Sequence, residues 1–405
     1  MRQLGTVWGL AALLALAGAG CKTSTGGGDT VIRPDVDPAA TGNAVEGDVI
    51  KIGVIASLNG DLKPWGEDSV RGIKLAVEEF NAAGGLDGKM VELLIEDTAS
   101  RAEQGKSATE KLIAKDKVVA IIGEIASGIT QPSAMVAQQY GVPIISPGAT
   151  RVDITQIGKA VFRACFTDNF QGAAMAKFAY EKLSLRRIAI LTDKAQPYST
   201  GLSDVFRAAF TQFGGEIVDE QFYEKGTLDF KPQLTNLRTK NPDGLFCSGY
   251  FNEVGPIARQ RLVIGLDVPM IGGDGWDSRE LLQSGGRGII GSYFSNHYSS
   301  LEDREIVQRF VANFTDMWGA APATAMGAVS YDAAGVLLDA LRRAETLDSP
   351  GIIKAIQDTK DFPGVSGSIT IGDDGNAEKA ILVLEVTEEG FVPFDRIDFF
   401  VFEEK

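Results

Sequence analysis

Two consecutive rounds of alternating strand and helix signals constrain this chain more than any other feature. From Val49 onward, short apolar runs rich in β-branched residues alternate with amphipathic stretches. Residues 50–58 predict a strand and 67–82 a helix, with Val70, Ile73, Leu75, Ala76, Val77 and Phe80 at helical spacing and Gly84-Gly85 as the stop. Strands at 91–96, 118–122 and 143–146 then alternate with helices at 103–114 and 132–140. Residues 160–167 read as a passage, and the pattern begins again with a helix at 168–183. Strands are expected at 187–192, 216–223, 244–248, 269–272 and 289–294, and helices at 201–213, 230–238, 253–264 and 278–282. Alternation of this kind means βαβ units and parallel sheets. The expected fold class is therefore α/β, with two doubly wound, Rossmann-like lobes. Helices at 305–318 and 325–343 and a hairpin-like tail, with turns at 373–376 and 388–390, imply that the chain returns to the first lobe and finishes on the second. The resulting division is 49–166 with 297–364 for the first lobe and 167–296 with 365–405 for the second, with several crossings as a hinge.

The N-terminus obeys different rules. Arg2 precedes an apolar run at 10–19 that is too short to span a bilayer and reads as a signal-peptide core, so 1–20 is expected to be removed. It ends at Gly18-Ala19-Gly20-Cys21, which resembles a bacterial lipobox whose cysteine becomes the lipidated first residue. Gly18 stands where that pattern usually has leucine, and the alternative is an ordinary cut nearby. Residues 22–48 are rich in Gly, Thr, Asp and Pro without apolar periodicity. They read as a flexible spacer reaching on the order of 30 Å. An exported chain can oxidise its cysteines, so Cys165 and Cys247 are either a disulfide or two buried thiols.

The composition excludes some classes. A net charge of -15 argues against a nucleic-acid partner, which needs a basic face. The first strand runs into Ser57-Leu58-Asn59-Gly60-Asp61, not a dinucleotide fingerprint, and no phosphate-binding G-x-x-x-x-G-K-S/T occurs. There is one histidine, His297, expected at the surface or in the hinge, and no G-x-S-x-G elbow. No Cys/His cluster has metal-ligand spacing. No cofactor, metal or catalytic group is expected, and no enzyme.

Polar and small residues instead gather where strands end, which is where open α/β sheets bind ligands. Residues 123–128 and 146–150 offer hydroxyls, bare backbone N–H groups and a helix start, the materials of a carboxylate site. On the other half, Tyr198, Tyr250 and the acid of Gly272-Gly273-Asp274-Gly275-Trp276 follow strands. An acid flanked by tyrosines can hold an ammonium by charge, hydrogen bond and cation–π contact.

At these residues the chain resembles the type I periplasmic binding proteins, in the leucine/isoleucine/valine-binding branch, over roughly 50–394. The similarity is carried by Ile52-Gly53-Val54 with Gly66 and Gly72-Ile73-Lys74-Leu75-Ala76, by Asn81-Ala82-Ala83-Gly84-Gly85-Leu86-Asp87-Gly88, by Ile122-Gly123 with Thr130-Gln131-Pro132, and by Pro143-Ile144-Ile145-Ser146-Pro147 with Ala149-Thr150. The resemblance implies two lobes on a three-stranded hinge. Ser127, Thr150 and the backbone of Gly148 and Ala149 would hold a ligand carboxylate. Asp274 would pair with the amine, where the branch typically has Glu. Tyr198 and Tyr250 would close over the ligand, with Trp65 and Met326 lining its side-chain pocket. Asp168 stands at a family-like position and could equally be a helix N-cap. The family's lobe-one disulfide has no matching cysteines here. The implied protein is a monomeric solute-binding lipoprotein, anchored through Cys21 in the periplasm or at the cell surface. It would hand a small amino acid to an ATP-driven membrane permease. A sensory module serving a receptor, or a binder of amides or small carboxylates, are the alternatives.

Overall fold

The computed structural model describes residues 33–403; the expected signal peptide and Cys21 lie outside them. The first round of alternation forms a five-stranded parallel sheet from β1 (Val49–Ala56), β2 (Met90–Asp97), β3 (Ala120–Ile122), β4 (Ile144–Ser146) and β5 (Val161–Arg163), in the order β2-β1-β3-β4-β5. Ile50, Ile52, Val54 and Ile55 on β1 are all fully buried, as a parallel sheet with both faces covered requires. α1 (Lys63–Ala82) packs over Ile52 and Val54. α2 (Ala102–Ala114) and α3 (Ser127–Tyr140) pack over Ile55, Ile121 and Ile144 on the other face. A short α4 (Asp153–Gln156) precedes β5. The expected passage at 160–167 thus begins as an edge strand, because Val161 and Phe162 pair with β4 and are buried.

The second round opens with α5 (Asp168–Lys177). Its N-cap is Thr167, whose side chain accepts the Phe170 N–H, so Asp168 is not the cap. β6 (Arg187–Asp193), β7 (Glu216–Tyr223), β8 (Gly244–Cys247), β9 (Met270–Gly272) and β10 (Tyr293–Asn296) are parallel. α6 (Pro197–Gln212), α7 (Lys231–Arg238), α8 (Phe251–Val263) and α9 (Arg279–Gly285) connect them.

The chain then recrosses to the first lobe with α10 (Glu305–Trp318), α11 (Met326–Arg343), α12 (Ser349–Gln357) and a small antiparallel sheet of β11 (Phe362–Gly364), β12 (Gly367–Ile371) and β13 (Ala377–Glu378). α11 lies so close to α1 that a Cβ on Gly72 would sit 2.0 Å from the Gly327 oxygen, which is why the opening motif needs a glycine there. The chain finishes on the second sheet as antiparallel β14 (Ile381–Val386) and β15 (Phe391–Ile397), giving the order β15-β14-β10-β9-β8-β6-β7. Passages after β5, β10 and β13 are the three crossings between lobes.

Two placements differ from the sequence reading. Ile369, Ile371 and Ala377 pack in the core under the first sheet, so the passage to the second lobe comes after β13 and not at residue 365. The stretch from Arg33, read as the far half of a flexible spacer, is docked on the first lobe. The buried Arg33 guanidinium donates to the main-chain oxygens of Thr155, Gly158 and Val161 and to Gln357. Gly42 N–H donates to Tyr140 O at 3.1 Å and Val45 N–H to Leu347 O at 2.8 Å. These oxygens replace the water lost by the cation, which no reading of local composition reveals. Of the two alternatives for the cysteines, the structure holds the buried thiols: Cys165 and Cys247 are free. Burial pushes both thiols up to about 12.

Candidate functional site

The C-terminal ends of β3 and β4 face those of β6, β8 and β9 across the interlobe cleft. The first-lobe wall carries Ser127 at the start of α3, Gly148 and Thr150 after β4, Trp65 on α1 and Met326 at the start of α11. The second-lobe wall carries Tyr198 at the start of α6, Tyr250 after β8, and Asp274 with Gly275 after β9. All of these line one cavity, with Ile125 and Ala126 beside them, and the space left between them is about 10 Å³. That is room for about one water molecule, so a ligand enters only when the lobes part.

Closure is held by contacts between the lobes. Trp65 Nε1 donates to Asp277 O at 2.7 Å, and Ala325 N–H donates to Asp277 Oδ2 at 2.5 Å. Nearer the rim, Lys225 pairs with Asp61 at 2.7 Å. Leu62, Trp65, Ile125, Ile129 and Met326 from the first lobe join the hydrophobic core of the second. Burial of the Asp277 carboxyl pushes its pKa up to about 7, partly offset by the bonds from Ala325 and Asn296.

The first-lobe loops are held from behind. Glu124, fully buried, accepts the N–H groups of Ile125 and Ala126 at 2.8 and 2.9 Å and the hydroxyls of Ser57 and Thr98. These two amides are thereby taken by the chain's own carboxylate. Arg163, also buried, donates to the oxygens of Ala149, Arg151 and Val152, which draws the carbonyls of that loop away from the cavity. Ala149 is not on the cavity wall, and its N–H donates to Ser146 Oγ at 3.0 Å. The expectation that its amide would serve a ligand therefore fails on geometry. Gly148 and Thr150 have no acceptor for their N–H groups among the described residues, and the Thr150 and Ser127 side chains face the same space.

The second-lobe wall is acidic. Asp274 Oδ1 accepts the Tyr198 hydroxyl at 2.9 Å, and that hydroxyl accepts Gly275 N–H at 3.1 Å. Asp274 Oδ2 lies 3.1 Å from His297 Nε2. Gln171 ties Asp274 to a second acid: its Oε1 accepts the Asp274 N–H at 2.7 Å and its Nε2 donates to Asp168 Oδ1 at 3.0 Å. Asp168 Oδ2 is buried with no hydrogen-bond partner. The Asp168 carboxyl is pushed up to about 8, by burial first and by Asp274 second, against the Thr150 hydroxyl and the Arg163 charge. With Asp168 holding its proton at neutral pH, the carboxyl on this wall is Asp274, and no Lys or Arg is bonded to it. Tyr198 and Tyr250 stack at 5.1 Å and 7°, and Trp65 meets Tyr250 edge-on at 5.4 Å, so the same wall is an aromatic surface suited to a cation or an apolar side chain.

His297 was expected at the surface or hinge. It does sit at a crossing, but it is buried and bonded to Asp274. Gln171, Glu124 and Asp277 were also missed. Glu124 and Asp277 stand within the polar strand-end loops or just past them, which is the one signal that could have drawn attention to them. Among the described residues no group of three or more His, Cys, Asp or Glu side chains could hold a metal ion.

A family model described as a periplasmic binding protein matches residues 49–390. The Leu/Ile/Val-binding protein homolog 3 of Brucella melitensis is 30% identical over 332 residues, 81% of this chain and 88% of that protein. A leucine-binding protein from Thermotoga maritima superposes with a TM-score of 0.82 at 37% identity, covering 86% of this chain and 99% of that one. A branched-chain amino acid transporter substrate-binding protein from Streptococcus pneumoniae, in complex with isoleucine, gives 0.79 at 31% identity, covering 85% and 99%. A solute-binding protein from Rhodopseudomonas palustris, in complex with 3,4-dihydroxybenzoic acid, gives 0.78 at 25% identity, covering 88% and 99%.

Proposed function

The chain belongs to the periplasmic binding protein family, in its leucine/isoleucine/valine-binding branch, and from that premise we propose that it captures a small amino acid between its lobes and delivers it to an ATP-driven membrane importer. Branched-chain amino acids are the first candidates. The observation that carries this reading is the polarity of the cleft. Thr150, Ser127 and the free amides of Gly148 and Thr150 stand on one wall, and Asp274 stands on the other, tied through Gln171 to Asp168 behind it. A zwitterion laid across the gap would satisfy both walls, and neither a neutral molecule nor a simple anion would satisfy the acidic one. Trp65, Tyr250 and Met326 would take the side chain. Binding would begin on the first lobe, and the second would close over it.

The relatives are solute-binding proteins, and the ligand is expected to leave unchanged. Anchoring through Cys21 accords with its lipobox-like surroundings; Cys21→Ala should move the protein from the membrane to the soluble fraction.

A thermal-shift screen against amino acids, their deaminated analogues and hydroxybenzoates tests the reading. A true ligand at 100 times its dissociation constant should add about 2.7 kcal/mol. Stabilisation by a branched-chain amino acid and not by its deaminated analogue supports it. Stabilisation by hydroxybenzoates alone would place the ligand class with that of the Rhodopseudomonas palustris relative.

A further inference from the structure

His297 is the chain's one histidine. It follows β10, at the second crossing between the lobes. Its ring stacks on Phe166 from the first crossing, with centroids 3.9 Å apart and planes 20° from parallel. Its Nε2 lies 3.1 Å from Asp274 Oδ2, while its Nδ1 is buried with no partner.

These contacts select the tautomer. A neutral imidazole carries one N–H. On Nδ1 it would be a dry donor without an acceptor, and the Nε2 lone pair would face a carboxylate. On Nε2 the proton is donated to Asp274, and only an acceptor is left dry. The charged ring would again strand an N–H at Nδ1. Asp274 favours that charge, and Lys379, beside the third crossing, opposes it. Cys165, next to Phe166, is neutral, and Asp168 is raised by burial and by Asp274. Burial is the largest influence and lowers His297 below the ordinary 6.5.

We propose that His297 positions the amine end of the site: as a neutral donor it fixes the Asp274 carboxylate, and as an imidazolium it occupies that carboxylate and turns away ligands bearing an ammonium. This rests on the amino-acid reading above. Asp274 is gripped at both oxygens, by Tyr198 and by His297, so it cannot swing. Each oxygen keeps lone-pair capacity for a cation in the cavity. A second proton on His297 places a positive charge 3.1 Å from the same carboxylate, where it competes with the ligand and repels it. Affinity therefore falls as the pH drops below the ordinary histidine range, and the protein sheds its ligand in mild acid.

The test uses the untagged protein, isotope-labelled at its single histidine. Ring NMR should show the Nε2–H tautomer at neutral pH. Calorimetry with L-leucine should show affinity falling about tenfold between about pH 8 and about pH 5. His297→Gln keeps a donor that cannot ionise, so its affinity should fall clearly less than the parent's over that range, by the part that Asp168 and Asp277 contribute as they take up protons there. His297→Leu should bind about tenfold more weakly already at the upper pH. An Nδ1–H tautomer, or the same pH slope in His297→Gln as in the parent, overturns the proposal. If L-leucine binds the parent no better than 4-methylpentanoate does, the amino-acid reading fails and the acid release fails with it. The tautomer then still decides whether His297 positions Asp274.

Discussion

Trp65 donates its indole N–H to the main-chain oxygen of Asp277 at 2.7 Å, from the first lobe to the second. The Asp277 carboxylate takes the Ala325 amide of the first lobe as well. One short segment after β9 is thus gripped twice on closing, three residues from the acid assigned to the ligand's amine. Lobe closure and ligand capture share a structural unit.

Trp65→Phe keeps an aromatic ring beside Tyr250 and removes the cross-cleft bond. A net loss of about 1 kcal/mol in the closed state should weaken ligand binding about fivefold. Calorimetry measures the affinity, and small-angle scattering of the ligand-free protein should show a more open form. An unchanged affinity would mean that closure does not draw on this bond.

Asp168 sets a pH dependence of stability in the ligand-free protein. Its carboxyl is raised from 3.8 to about 8, so the folded state holds a proton that the unfolded chain has lost. Stability on this account is full below about pH 4, falls as pH rises, and levels off above about pH 8. Asp168→Asn should stabilise the empty protein at the alkaline end by on the order of 2 kcal/mol and flatten that fall. Denaturant titrations at several pH values measure it. A mutant as pH-dependent as the parent would remove Asp168 from the account.

Arg33 ties the N-terminal stretch to the first lobe. Arg33→Ala takes the guanidinium donor from the buried carbonyls of Thr155 and Val161, leaves Gly158 O with only the Val161 N–H, and should cost about 3 kcal/mol in urea unfolding. Arg33→Lys should recover little, since a single ammonium cannot reach the same set of acceptors. A loss within experimental error for both would mean that the docked stretch contributes nothing to stability.

Thr150→Ala should weaken an amino acid and its deaminated analogue alike, by about 1.5–3 kcal/mol each, since both present a carboxylate to that wall. Calorimetry with the pair distinguishes this from an effect on the amine end, which would spare the analogue.

How much of this was legible in the sequence depended on the range of the interactions. The two lobes were readable because strand and helix periods are local, as in β1 and α1, and because ligand loops follow strand ends in any open α/β sheet. That rule alone singled out Thr150, Tyr198, Tyr250 and Asp274 as candidates, and the fold brings them to one cavity. The Ala149 amide was misassigned because its competitor, Ser146 Oγ, depends on the path of the loop. His297 has no surrounding motif; its burial comes from Phe166 and its role from Asp274, both distant in the chain. The docking of Arg33 was hidden in the same way, since a Gly- and Pro-rich stretch gives no hint of a carbonyl cage more than a hundred residues away.

The central claim is that Asp274 receives a ligand ammonium. Asp274→Asn keeps the shape of the side chain and removes its charge, so the most direct measurement is calorimetry of parent and mutant with L-leucine and with 4-methylpentanoate. The account predicts that the mutant loses at least about 2 kcal/mol toward L-leucine, a buried ammonium deprived of its counter-charge, while its affinity for 4-methylpentanoate is unchanged or improved. If Asp274→Asn binds L-leucine as tightly as the parent does, Asp274 is not the partner of the amine and the account is wrong at its centre.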